Sequence, residues 1–403
     1  MVWYQPCDFT PHTANAGSFA DMTPVELIAR IERRLRMLVV HLPPPVATRV
    51  FSAGRAWFMQ QLVLEHPAEV TITPVPVRAW GIEFRLPLWN AAGMFKHGLG
   101  YDLVAAQGAG GFVAGTTTFL PREGNTLRGV RWPAVPYPRS SAASNWMGLP
   151  NPGHAAVAKV LEKVPRRPGC PVGASVSADP GMPWDDAAEG LIQGIGMYAD
   201  AGVDYIELNE SCPNVAGHSS AIDEGLQRRL EKIATTVLAH RDRRLPVVVK
   251  ISNDVAIDQL PELLRMLISL GFDGIILGNT STRYTDARTM LHHSEHKLYD
   301  YFVNEYGGGL SGSVVADASA QRCRAAVQLI SEIAPRHEFH VVRCGGVVSA
   351  RNVADLMADG VMLHQWYTGY FESFAQFGHN LYQRLSMELE ALRRESNRAA
   401  TLS

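Results

Sequence analysis

The sequence predicts an α/β fold, a (β/α)8 TIM barrel with an N-terminal helical hairpin extension, and three observations predict it. Short strand-like segments recur at 89–93, 111–116, 172–177, 205–209, 247–252, 274–280, 339–346 and 360–366. All but one are apolar enough to be buried on both faces, as parallel strands are. Helical runs such as 185–201, 223–240, 256–270 and 349–358 fall between them, and strand–helix alternation over roughly 300 residues is the pattern of such a barrel. The doubly wound alternative lacks its G-x-G-x-x-G turn after the first strand.

The extension is expected over residues 1–69 and the barrel over 70–403. Thr23 can cap a helix that has Pro24 at its first position and Glu26 in its first turn. Leu27, Ile28, Ile31, Leu35 and Leu38 recur at helical spacing, with Arg30, Arg33, Arg34 and Arg36 on much of the remainder. The proline run at 43–45 ends this helix, and a second amphipathic segment carries Val50, Phe51, Trp57, Phe58 and Leu62. Taken alone, such stripes read as a hairpin turned toward the main domain, because most amphipathic helices face a core. The other reading is a hairpin on a membrane surface, arginines toward lipid phosphates. VTITPVPVRAWGIEFRLPLWN then suggests a small β-hairpin before the first barrel strand.

Composition excludes several classes. The chain is 46% hydrophobic and 19% charged with a formal net charge of −2, which is globular and carries no field that gathers nucleic acid. The five cysteines, Cys7, Cys170, Cys212, Cys323 and Cys344, are scattered without a C-x-x-C pair. That argues against a disulfide framework and a metal site and for reduced thiols on the cytoplasmic side. No run reaches the ~20 apolar residues of a membrane span, and the N-terminus lacks a secretory signal's layout.

A barrel of this kind places its site at the carboxyl ends of the strands. Those ends carry Lys96, Thr116, the stretch Asn209 to Asn214, Lys250, Asn279 and Thr280, Gly345 and Gly346, and Tyr367 to Gly369. The glycine turns after the seventh and eighth strands suit a phosphate cradle built from backbone N–H groups. A lysine across the barrel, Lys250, would face the pyrimidine edge of a flavin, so the arrangement suits FMN.

These motifs resemble those of the dihydroorotate dehydrogenases, FMN enzymes of pyrimidine biosynthesis, over about residues 70–375. NAAGMFKHG, SNWMGLPNPG, ELNESCPNV, VVVKIS, GNTST, GGLSG, RCGG and QWYTG follow in family order. The resemblance implies oxidation of dihydroorotate to orotate, with hydride passing to flavin N5. It places the substrate ring among Asn145, Asn209, Asn214, Asn279 and Thr280, near Lys96 and the Met147, Gly148 and Leu149 turn. It places the flavin against Ala92, Gly93, Thr116, Ser175, Asn209, Lys250, Gly309, Ser311, Gly312, Gly345, Gly346, Tyr367, Thr368 and Gly369. Cys212 falls on the catalytic base that removes the C5 proton, and Pro213 stiffens its loop.

The chain mixes two branches of that family. Cys212, the Met147–Asn151 run and Arg122–Asn125 resemble the cytosolic branch, whose own lysine position reads Gly115 here. Lys96 and residues 24–62 resemble the membrane-associated branch, in which quinone enters through a hairpin. With that resemblance, the hairpin reads as a peripheral membrane contact and quinone as the oxidant. The alternative is an FMN dehydrogenase of the same fold that desaturates a different cyclic amide in a secondary pathway. A barrel that binds flavin or RNA without turnover is disfavoured by the intact ring-binding set and near-neutral charge. The segment 289–306 has no counterpart in these motifs. Its histidines read as a solvated loop, beside the site as a lid or a reshaped pocket wall, and no metal is expected.

Overall fold

The computed structural model describes residues 22–211, 224–241 and 245–402. The strands are β1 (Val77–Ala79), β2 (Ile82–Phe84), β3 (Leu88–Asn90), β4 (Phe112–Thr117), β5 (Thr126–Leu127), β6 (Val130–Arg131), β7 (Ala134–Tyr137), β8 (Ala142–Asn145), β9 (Val172–Val176), β10 (Tyr205–Asn209), β11 (Val247–Ile251), β12 (Gly274–Leu277), β13 (Gly309–Gly312), β14 (His340–Cys344) and β15 (Leu363–Trp366). The helices are α1 (Pro24–Val39), α2 (Pro44–Leu62), α3 (Tyr101–Ala106), α4 (His154–Glu162), α5 (Trp184–Asp200), α6 (Glu224–Thr236), α7 (Leu260–Ser269), α8 (Tyr284–Met290), α9 (His296–Tyr306), α10 (Ala316–Ile333), α11 (Ala350–Ala358), α12 (Thr368–Phe377) and α13 (Leu381–Leu402).

Eight parallel strands run in the order β3-β15-β14-β12-β11-β10-β9-β4, and each of the eight expected segments contributes one. The two ends of that order, β3 and β4, are joined by backbone hydrogen bonds, from the Gly110 N–H to the Leu88 carbonyl at 3.0 Å and from the Gly115 N–H to the Phe95 carbonyl at 3.1 Å, and by a side chain between them. The Asn90 amide donates to the Val113 carbonyl at 2.8 Å and accepts from the Val113 N–H at 3.3 Å. Just beyond it, Phe95 bridges Ala114 in parallel register.

Inward-facing residues alternate along each strand, so the barrel interior is layered. The lower layer is apolar, with Trp89, Val113, Tyr205, Val248, Ile276, Val342 and Leu363 in one cluster. The β1–β2 hairpin closes this end. Trp80 packs on Phe84 and Tyr205 at 6.3 and 6.1 Å between ring centroids and donates its indole N–H to the Asp273 carbonyl at 2.8 Å. Gly173 makes room for the Tyr205 ring, since a Cβ there would lie 2.2 Å from it. Two residues further along the strands, the same inward positions turn polar: Ser175, Glu207, Lys250 and Gln365, all buried.

The extension forms the two expected helices. Thr23 and Glu26 cap α1 reciprocally, the threonine hydroxyl accepting from the Glu26 N–H and the Glu26 carboxylate from the Thr23 N–H. Its leucine stripe, however, does not face the core. Leu27, Ile31, Leu35 and Leu38 are 42%, 48%, 49% and 67% exposed, whereas Val25, Glu26, Ala29 and Arg36 are buried. Polar contacts select the buried face. Arg36 pairs with Glu32 and with Glu372 of α12, and His379 donates its backbone N–H to Glu26 at 2.8 Å while its ring contacts Glu65 at 2.6 Å.

An antiparallel sheet of β7, β8 and β13 lies at the mouth, and the expected solvated loop at 289–306 is largely helical behind it. Leu298, Tyr299, Phe302 and Tyr306 are buried in a cluster with Val135, Tyr137 and Ala47, against which Phe51 packs. Their spacing is that of one helix face. Glu295, fully buried, accepts from the Arg139 N–H at 2.7 Å and the Ser140 hydroxyl at 2.6 Å.

Replacing Trp80 by alanine removes the ring that closes the barrel floor and leaves Asp273's carbonyl short of a donor. Urea unfolding followed by circular dichroism should show a loss of about 3–5 kcal/mol, with the secondary structure of the surviving folded state unchanged.

Candidate active site

At the carboxyl ends of the strands a cavity is lined on one side by Asn145, Met147, Leu149, Asn209, Asn279, Thr280 and Lys96, and on the other by Ser311, Gly312, Gly345, Gly346, Thr368 and Gly369, with Ala92, Gly93, Thr116, Lys250 and Tyr367 between them. Three expected residues stand behind this wall. Gly148 makes a left-handed turn, φ 70°, in which a Cβ would meet the Asn125 side chain. Gly309 lies against Thr280, which a Cβ would approach to 2.1 Å. Ser175 sits under Thr116, their hydroxyls 2.9 Å apart. Cys212, Pro213 and Asn214 lie outside the described residues. Of the segment 289–306, no residue lines the cavity.

The amides converge from three strand ends. Asn209, at the end of β10, donates to the Thr116 hydroxyl at 2.9 Å and accepts from Ser211 through both backbone N–H (3.3 Å) and hydroxyl (3.2 Å). Asn279 follows β12 and donates to the Ser211 hydroxyl at 3.0 Å while accepting from the Thr280 N–H at 3.0 Å. Asn145 ends β8. Each asparagine offers a donor and an acceptor in one plane, which matches a flat ring of alternating amide groups. The Thr280 hydroxyl is buried without a hydrogen-bond partner.

Beneath lies a saturated polar layer. Lys250 donates to Glu207 at 3.0 Å and to the Gln365 carbonyl oxygen at 3.2 Å. Gln365 returns a donor to the other Glu207 oxygen at 2.9 Å, and the Ser175 hydroxyl donates to Glu207 at 3.1 Å. Burial opposes the Lys250 charge, yet neighbours raise its pKa above the ordinary lysine value. Burial pushes the adjacent Cys344 thiol up, and the Glu207 carboxylate lies against Lys250 at 3.0 Å. Glu207, Gln365, Cys344 and Trp366 escaped the sequence reading. The available signal was the single carboxylate in the strand segment YIELN.

The opposite end is built of backbone. A Cβ at Gly346 would lie 2.2 Å from Ala316 Cα, at Gly369 2.2 Å from the Val347 carbonyl, and at Gly312 2.2 Å from the Ser141 carbonyl. Only glycine lets these turns close on their neighbours, and they meet beside the N-terminus of α12 and the bonded pair Ser311–Thr368 (3.0 Å). That is an anion cradle. With the cationic floor and flat walls, the cavity fits an elongated group with a planar ring and a phosphate.

A second cavity of about 240 Å³ lies between the hairpin and the barrel, lined by Arg55, Met59 and Val63 of the hairpin side and by Phe95, His97 and Trp132. Gly93, Lys96 and Met147 line both cavities. Arg55 also hydrogen-bonds the Tyr367 hydroxyl.

Comparison with known proteins agrees with this geometry. The family model described as dihydroorotate dehydrogenase matches residues 75–389. A dihydroorotate dehydrogenase (quinone) of Stenotrophomonas maltophilia is 31% identical over 304 residues, 74% of this chain and 80% of the relative. One of a Cyanothece species is 29% identical over 320 residues, 78% and 79% of the two chains. The fold is shared with DHODH from Eimeria tenella in complex with ferulenol, with a TM-score of 0.65, 20% identity, and coverage of 86% and 92%.

One buried group behind the wall sets a pH limit. The Thr117 hydroxyl bridges His154 Nδ1 at 2.8 Å and the Tyr198 hydroxyl at 2.7 Å, and burial pushes His154 down to about 3. The folded state therefore resists a proton that the unfolded chain accepts below about 6.5, and this contribution to stability is lost as pH falls from about 6.5 toward 3. Unfolding at pH 7.5 and 5.5 should reveal a loss of about 1 kcal/mol from this group. A His154→Gln variant should lack that part of the pH dependence.

Proposed function

We propose that this chain, which belongs to the dihydroorotate dehydrogenase family, oxidises dihydroorotate to orotate with FMN as cofactor and a quinone as final oxidant. The observation that carries the reading is the convergence of Asn145, Asn209 and Asn279 on one cavity whose far end is a glycine-built anion cradle and whose floor is Lys250. A substrate ring against the asparagines and an FMN phosphate in the cradle use every polar feature of that wall.

The chain's own residues then divide the work. Asn209 and Asn279 are held by Thr116 and Ser211, so their amides are oriented before the substrate arrives and little reorganisation is needed. Lys96, lining the same cavity, supplies positive charge near the substrate carboxylate. Cys212, next in sequence to Ser211, takes the C5 proton as its thiolate. FMN, when bound, supplies the acceptor for the C6 hydride. Thr116, Gly93, Ala92 and Tyr367 exclude water from the space it would occupy.

The second cavity supports the quinone assignment. It is largely apolar, opens beside the hairpin and shares a wall with the first. The outward stripe of α1, with Trp57 and Val50 of α2 also nearly half exposed, supports peripheral contact of residues 24–62 with a membrane surface, where such oxidants dissolve. No described helix is long and apolar enough to cross a membrane.

Anaerobic titration tests the first half-reaction: dihydroorotate should bleach the yellow protein within one turnover. A yellow protein that stays oxidised sends the substrate assignment to another cyclic amide. Cys212→Ala should keep FMN bound while bleaching slows by at least about 100-fold, the usual size of a base's contribution. Met59→Trp, which fills the second cavity, should slow quinone-driven turnover about tenfold or more and leave bleaching intact. Equal slowing of both steps would remove that cavity from the quinone path.

A further inference from the structure

We propose that Glu207 is a positioning residue that sets the reduction potential of the bound flavin by offsetting the charge of Lys250, an inference that rests on the FMN reading above. Four observations carry it. Glu207 is fully buried on β10, one layer below the cavity, and does not line it. Lys250, which does line it, reaches Glu207 at 3.0 Å. Both carboxylate oxygens are taken, one by Lys250 and Ser175 and the other by Gln365. Cys344 also lies beside Lys250, and burial pushes its thiol up, away from the charged form.

The physical consequence is direct. A lone ammonium under the pyrimidine edge would favour the negative charge gained on two-electron reduction and make the flavin a stronger oxidant. A carboxylate 3.0 Å behind that ammonium turns a charge into a dipole, whose field at the cavity is weaker and shorter in reach. In this buried layer the difference is barely screened by salt. Glu207 thus holds the potential down, leaving the reduced cofactor able to pass electrons onward, while Lys250 keeps its hydrogen bonds.

Ser175 extends the effect toward the substrate. Its hydroxyl lies 2.9 Å from that of Thr116, and Thr116 receives Asn209 at 2.9 Å. Asn209, Thr116, Ser175, Glu207, Lys250 and Gln365 form one continuous hydrogen-bonded chain from the ring-binding side to the cofactor side. The carboxylate is its only anion.

The geometry also supplies the control. Gln365 contacts the same lysine and lines the cavity, so exchanging the two side chains keeps a carboxylate on Lys250, moves it to the cavity wall and leaves every donor matched to an acceptor. The experiment measures FMN content and the two-electron midpoint potential of the holoprotein, by slow reduction against a reference dye without dihydroorotate. Glu207→Gln should raise the reduced-to-oxidised ratio at fixed potential by at least about tenfold, about 30 mV for a two-electron couple. Gln365→Glu, which adds a carboxylate, should shift it the other way. The double exchange, which returns a carboxylate to Lys250, should bring the potential back to the wild-type value or below it. A potential unmoved in both single variants overturns the proposal, as does a double exchange that follows Glu207→Gln. If the single variants lose FMN, the potential of the double exchange decides, not its FMN content: a rise of about 30 mV or more above the wild type overturns the proposal. Wild-type protein that binds no FMN would overturn the functional reading itself. Protein that holds FMN but is not bleached by dihydroorotate leaves the potential measurement valid.

Discussion

A barrel of parallel strands has no free edge, and in this protein the last edge is closed by a few backbone hydrogen bonds with one side chain set among them. Asn90 presents an amide to the backbone of Val113 and completes with one residue the pairing that a longer strand would have made. Without it, a buried N–H and a buried carbonyl in the wall would be left unmatched, at roughly 1–3 kcal/mol each. The two chain segments it joins continue upward into Gly93, Phe95, Gly115 and Thr116, where the cavity wall begins. The spacing of the first and second strand ends, and so the separation of Lys96 from Thr116, is set at this seam.

The eight strands were legible because strands buried on both faces need apolar residues at nearly every position, and few other structures impose that. The cavity-lining asparagines and glycine turns were legible because each sits at a strand end, where the fold puts ligands. What the sequence left hidden depended on partners remote in the chain. The α1 stripe has the same periodicity whichever way it faces. Its burial is decided by Glu372, Glu65 and His379, more than 300 residues from Arg36 and Glu26 in two of those three cases. Helix α9 was masked by its charged and histidine-rich approach, although Leu298, Tyr299, Phe302 and Tyr306 trace a face. Ser175 and Gly309 were expected in the wall and stand behind it, because one strand position cannot tell whether a larger neighbour covers it. Glu207 is the plainest case: a lone acid in a strand means little until its lysine is seen.

The extension is part of the body. Phe58 meets Phe371 and Phe374 edge-on at 6.2 and 5.9 Å, and Ala47 is buried in the same cluster as Phe302 and Tyr306. That cluster reaches the site from outside. Tyr306 packs on Trp146, 6.1 Å between ring centroids, and Trp146 lies between Asn145 and Met147 in the loop at the mouth. Helix α2, the 284–306 segment and the loop that carries Asn145 therefore share one apolar interior, separate from the main core.

Gly93, Lys96 and Met147 face both cavities, and this partition limits how the protein can diverge. A substitution at any of the three reshapes two chambers at once, so a change favoured in one is judged also in the other. Residues that serve a single chamber carry no such double duty: Met59 and Val63 on one side, Thr280 and Ser311 on the other. A new oxidant or a new ring is accommodated with fewer side effects there than at the partition.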